Sequence, residues 1–195
     1  MVGGAHMFKM HEKLETEVEI NGEIYQVNLS FDNIMKLLDL IKNPHMNDAE
    51  KVYYGIYLFL DTELELEIEQ QLIVFESLIT NFIHSKDEQD IQVDLQGNIM
   101  PTLAKQPTYD LNHDATYIYT SFKQAYGIDL FEEQGKLDWR KFKILLRDLP
   151  DDTKFKQVID IRTREYPKGK GMGEERKKLK ELKRTFALPG ETLDD

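Results

Sequence analysis

Cysteine is absent from all 195 residues, which removes disulfides, zinc–thiolate centres and thiol nucleophiles at once. Nothing in the chain then depends on an oxidising compartment, and a cytoplasmic setting is the simplest expectation. Long apolar runs are also missing. The longest, such as Gly55-Ile-Tyr-Leu-Phe-Leu60, fall far short of the roughly 20 residues that cross a bilayer, so no membrane partner is expected. Positive charge is scarce, with 25 Lys and Arg against 36 Asp and Glu. The net charge of -11 repels nucleic acid and anionic lipid on average.

Catalytic signatures are missing as well. His11, His45, His84 and His113 lack the i, i+4 spacing of a helical metal site, and no serine elbow or kinase-type loop is present. The sequence therefore nominates no catalytic, metal or cofactor-binding residue and implies no cofactor, and an enzyme is not expected. The opening Met1-Val-Gly-Gly-Ala-His6 is short and rich in small residues, without a basic start or an apolar core. It reads as an expression scar over 1–6, with the natural chain beginning at Met7.

What is present is organised. Leu14, Thr16, Val18 and Ile20 alternate with glutamates, and Asn21-Gly22 supplies two residues that tolerate positive φ. This predicts a β-hairpin in which Val18 faces Tyr25, Thr16 faces Val27 and Leu14 faces Leu29. Such a hairpin is marginal alone, so its apolar face must dock on the helices that follow. Ser30 or Asp32 is placed to start a helix carrying Ile34, Leu37, Leu38 and Ile41, which Asn43-Pro44 stops. Asn47 or Asp48 starts a second, with Val52, Ile56 and Phe59 inward. Thr62-Glu63-Leu64-Glu65 matches a capping box, predicting a third helix with Leu64, Ile68, Leu72, Phe75, Ile79 and Phe82 on one seam.

Residues 86–108 are dense in turn formers and read as a linker, with a short hairpin over Val93 to Met100. Helical patterns resume around Asp114 to Tyr126, Asp138 to Leu149, Thr153 to Arg164 and Gly173 to Ala187, and the Asp151-Asp152 pair after Pro150 suits a cap. The expectation is a mainly α protein with a small N-terminal β-hairpin and two helical lobes, 7–85 and 109–195. Trp139 and the tyrosines are expected to bury their rings and send the polar atom to a partner or to water.

The second lobe holds the features that invite a function. Tyr117, Ile118, Phe122 and Tyr126, with Trp139, Phe142 and Leu146, form helical stripes that suit an apolar core better than a base-stacking platform. Lys168-Gly-Lys-Gly-Met-Gly173 has neither phosphate-loop fingerprint and reads as a flexible hinge. The last helix is basic through Arg176, Lys177, Lys178, Lys180, Lys183 and Arg184, yet Leu179, Leu182 and Phe186 share one side, as protein docking requires. From Arg162 to Arg184 ten basic residues stand against four acidic ones. Such polarity favours head-to-tail contact between copies, or contact with two unlike partners.

Asp114-Ala-Thr-Tyr-Ile-Tyr-Thr-Ser-Phe122, Tyr126-Gly-Ile-Asp-Leu130, Leu137-Asp-Trp-Arg-Lys-Phe142 and Leu149-Pro-Asp-Asp-Thr153, in that order, resemble a family of long-tailed phages and prophages named for a "gene product fifteen". The resemblance runs from about Met7 to Pro189. It implies a tail assembly chaperone that keeps the tape-measure protein soluble while tail-tube subunits polymerise. On that reading the protein works in the cytoplasm of the infected or lysogenic host, self-associates into a spiral or filament, and is absent from the mature virion. Partner-binding candidates are Tyr117, Phe122, Trp139 and Phe142, with Arg176, Lys177, Lys180 and Lys183. The alternatives are a structural tail component, or a nucleic-acid-associated phage protein using the basic arm, which the overall acidity disfavours.

Overall fold

The structure is a computed structural model that describes residues 10–83 and 108–190. The expected scar, the hairpin at 93–100 and, except for Thr108, the linker lie outside those residues. Among the described residues the order is two strands, β1 (Glu17–Ile20) and β2 (Glu23–Gln26), and seven α-helices, so the protein is mainly α with an N-terminal hairpin. The chain divides into two compact units. The first takes the described residues up to 83 together with Gln134–Lys143, and the second takes 108–133 with those from Ile144 onward. A single break near residue 109 therefore does not describe the protein, since ten residues of the later chain belong with the first unit.

In the first unit the hairpin has the register that the Asn21-Gly22 turn dictates. Val18 pairs with Tyr25, and Asn21 and Gly22 adopt φ of 51° and 86°, both in the left-handed region that a type I′ turn demands. The ladder ends at Glu17 and Gln26, but Val27 N still donates to Thr16 O at 2.7 Å. Ile20, Val27 and Leu29 are buried, whereas Ile24, on the other face, is exposed. The hairpin docks through backbone as well as side chains. Asn28 N donates to Phe59 O at 2.7 Å, and the buried Asn33 amide donates to Asn28 O at 3.0 Å and Leu58 O at 2.6 Å. Asn33 thus satisfies two carbonyls that would otherwise be stranded near the core.

Helix α1 (Phe31–Lys42) buries Ile34 and Leu37 completely, and α2 (Asp48–Leu60) buries Val52, Ile56 and Phe59 against it. Each such side chain contributes about 1.5–3 kcal/mol on leaving water. The reciprocal capping box is found at Asn47 and Glu50, where each side chain accepts the other's backbone amide, and not at Thr62 and Glu65. Asp61 ends α2 in the left-handed conformation at φ 51°, Glu63 is engaged as acceptor of the Tyr53 hydroxyl, and the chain stays irregular until α3 (Ile68–Leu78). The late start alters the predicted seam. Phe75, Leu78 and Phe82 are buried, while Ile68 lies 46% exposed. The last turn, Ile79–Ile83, widens into a π-helix.

In the second unit, α4 (Ala115–Tyr126) stops at Gly127, whose φ of 69° suits a residue without Cβ. Helix α5 (Trp139–Arg147) places its last four residues in this unit and its first five in the other. The helices α6 (Lys154–Thr163) and α7 (Gly173–Phe186) follow. Asp151 and Asp152 do not cap α6. Thr153 precedes it, but its hydroxyl donates to Pro150 O at 2.7 Å, and the Phe155 amide is satisfied by Ser121 Oγ of α4 at 3.0 Å. A helix start is thus completed by a neighbouring helix. Ile118, Phe122, Phe155 and Val158 fill the core around that contact.

Candidate partner-binding surfaces

The expected aromatic candidates fall mostly inside. In the first unit, Phe142 stacks on Phe31 with centroids 5.0 Å apart, and Trp139 stacks on Phe142 at 5.6 Å. Both side chains are buried. Backbone bonds hold this segment in place: Phe31 N donates to Leu137 O at 2.9 Å, Trp139 N to Leu29 O at 2.7 Å, and Gly135 N to Asp32 Oδ1 at 2.8 Å. Partial burial alone would raise the Asp32 carboxyl, but the Gly135 amide and the Lys36 ammonium hold it below the ordinary carboxylate value. The Trp139 Nε1 is buried with no hydrogen-bond partner among the described residues. Lys143 lies over that indole at 5.8 Å and donates to Ile83 O at 3.1 Å.

Phe122 is fully buried in the second unit, edge-on to Tyr126. Phe122, Trp139 and Phe142 are therefore core residues in this fold, out of a partner's reach. Tyr117 is half-buried. It meets Phe186 edge-on at 6.1 Å, and Lys154 lies 5.9 Å from the Tyr117 ring and 4.6 Å from the Phe186 ring.

The basic candidates divide in the same way. Lys183 donates to Arg162 O at 3.0 Å, which satisfies a carbonyl in the last turn of α6, and its ammonium lies over Tyr166 at 4.9 Å. Arg176 donates to Pro167 O at 3.0 Å, closing the glycine loop, where Gly169 and Gly171 take φ of 130° and 90°. Lys180 is half-buried, and Lys177 is exposed. Only one of the four thus points wholly to solvent without a role in docking α7.

A buried ion pair that no local pattern announced anchors this unit. Arg162 grips both carboxylate oxygens of Asp114 at 2.7 Å, with side chains only 4% and 0% exposed. The same guanidinium donates to Thr108 O at 3.1 Å and Phe186 O at 2.6 Å. Three points of chain, including the start of α4 and the end of α7, meet on one planar fork. Asp114 stood out only as the first residue of the stretch up to Phe122 that resembles the phage family, with nothing to link it to Arg162. Arg162 was legible only as part of a basic run.

The surfaces that remain open lie elsewhere. Between α1 and α2 of the first unit runs an open groove of about 590 Å³, lined by Leu40, Met46, Tyr54, Tyr57 and Leu58 among others. Tyr54 is 50% and Tyr57 44% exposed. On α3, Ile73 is 66% exposed. A legible signal pointed to them, because α2 is apolar on every side over Val52 to Leu60, more than a one-sided helix needs. Among the described residues no group of three His, Asp or Glu stands ready to hold a metal ion, and no helix is long and apolar enough to cross a membrane.

The profile of the family described as bacteriophage Gp15 protein aligns with residues 10–188. No curated protein and no solved structure matches significantly.

Proposed function

We propose, because the chain belongs to the bacteriophage Gp15 protein family, that it is a tail assembly chaperone that binds the tape-measure protein during tail morphogenesis. It binds, in several copies, to amphipathic helical surface on that long partner in the host cytoplasm, and it leaves before the virion is complete. Its work is not catalytic.

The observation that carries this reading is the α1–α2 groove. Tyrosines at i and i+3 stand half in solvent beside Leu40, Met46 and Leu58, although the same helix buries Val52, Ile56 and Phe59 on its other side. Exposed aromatic and methionine side chains in an open groove suit the apolar stripe of an incoming helix. An open groove also gives modest affinity per copy, so that an array supplies avidity and each copy can later be displaced.

Co-expression with the tape-measure protein of the same phage tests the reading. The tape measure is expected in the soluble fraction with this chain bound, and the double variant Tyr54→Glu, Tyr57→Glu is expected to lose it. An insoluble tape measure beside the soluble wild-type chain would overturn the proposal.

A further inference from the structure

Between Lys51 and Lys86 the sequence has no lysine or arginine, and six acidic residues stand in that interval. On α3 two of them, Glu69 and Glu76, flank Ile73 at i-4 and i+3, and all three are exposed. Isoleucine gains nothing from water, so a helix face that reads acid, isoleucine, acid, with no cation of its own, is open to a partner among the described residues.

The second unit carries its complement. Helix α7 turns Leu179, Leu182 and Phe186 toward its own unit, and on one flank Lys177, Lys180 and Arg184 follow at i, i+3 and i+7. Lys177 and Arg184 are exposed, and Lys180 is half-buried. Seven residues separate Glu69 from Glu76, and seven separate Lys177 from Arg184. Both pairs thus span two helical turns, about 10.5 Å. Laid side by side, the two stripes bring both carboxylates against both cations, with Ile73 over the aliphatic stem of Lys180.

We propose that the α3 stripe of one copy receives α7 of a second copy, a heterologous head-to-tail contact that repeats from copy to copy. This deepens the multi-copy part of the function proposed above and is independent of the tape measure. Two turns of helix bury little area, so the contact is weak and salt-sensitive, as a reversible array requires.

Sedimentation velocity of the chain alone, over a concentration series at low and high salt, tests it. Wild type is expected to self-associate with concentration and to dissociate in salt. Glu69→Lys with Glu76→Lys, and separately Lys177→Glu with Arg184→Glu, are each expected to raise the self-dissociation constant at least about tenfold with unchanged circular dichroism. Mixing the two reversed proteins is expected to restore association, because each then supplies the face that the other needs. A wild-type chain that stays monomeric throughout, or reversed variants that associate as wild type does, would overturn the contact. So would a mixture that fails to recover while the fourfold variant does, since that outcome places the contact within one chain. Tape-measure solubility, assayed on the same variants, separates failure of this contact from failure of the chaperone reading.

Discussion

Gly55 shows how much one missing methyl group decides. A Cβ there would stand 2.4 Å from the Phe75 ring, inside a buried contact between α2 and α3. Alanine would gain roughly 1 kcal/mol of helix propensity, but overpacking a closed core costs about 1–3 kcal/mol. Gly55→Ala is therefore expected to lower stability in urea unfolding, and Phe75→Leu in the same chain should recover part of the loss. The Asp114–Arg162 pair is a second such position. Asp114→Ala leaves a guanidinium buried and uncompensated, with an expected loss of about 3–5 kcal/mol. Replacing both residues, Asp114→Leu with Arg162→Met, should cost less than the single change, and urea midpoints of the three proteins decide it. Neither position was legible in the sequence. Gly55 sat unremarked in an apolar run, and the long-range pairing of Asp114 with Arg162 leaves no local pattern.

At the scale of elements, periodicity and turn chemistry carried much further. The hairpin register followed from Asn21-Gly22 and alternation, and α4 to α7 begin and end within a few residues of where punctuation placed them. What failed was the start of α3: a capping box is a local offer that the structure declines at Thr62 and Glu65, and the chain stays irregular until Ile68. The second failure was topological. Gln134–Lys143 returns to the first unit through backbone bonds to Leu29 and Phe31, which no helical pattern announces. Asp32 makes that return testable. Its carboxyl is held below the ordinary value, so its contribution to stability is full above about pH 4 and is lost as the pH falls through its lower folded value. Asp32→Asn is thus expected to be less stable than wild type at neutral pH, with the two denaturation midpoints converging in acid. A gap that stays constant with pH would show that the charge is irrelevant.

For the whole molecule, family membership and the open α1–α2 groove support the same reading from different directions. Composition bounded the field at its start, since the chain has no cysteine and carries 36 acidic against 25 basic residues. The candidate site was less legible than the fold. The aromatic stripes were read as core rather than as a base-stacking platform, and packing puts Phe122, Trp139 and Phe142 inside, so it is their second role as partner candidates that fails, while Tyr54 and Tyr57 lie out. The central claim is that several copies cover a long partner. Light scattering of the purified complex, made once with the full tape-measure protein and once with a version of half its length, measures this directly. The account predicts several copies of this chain on the full partner and about half as many on the short one. A single copy on both, or no complex at all, would contradict it.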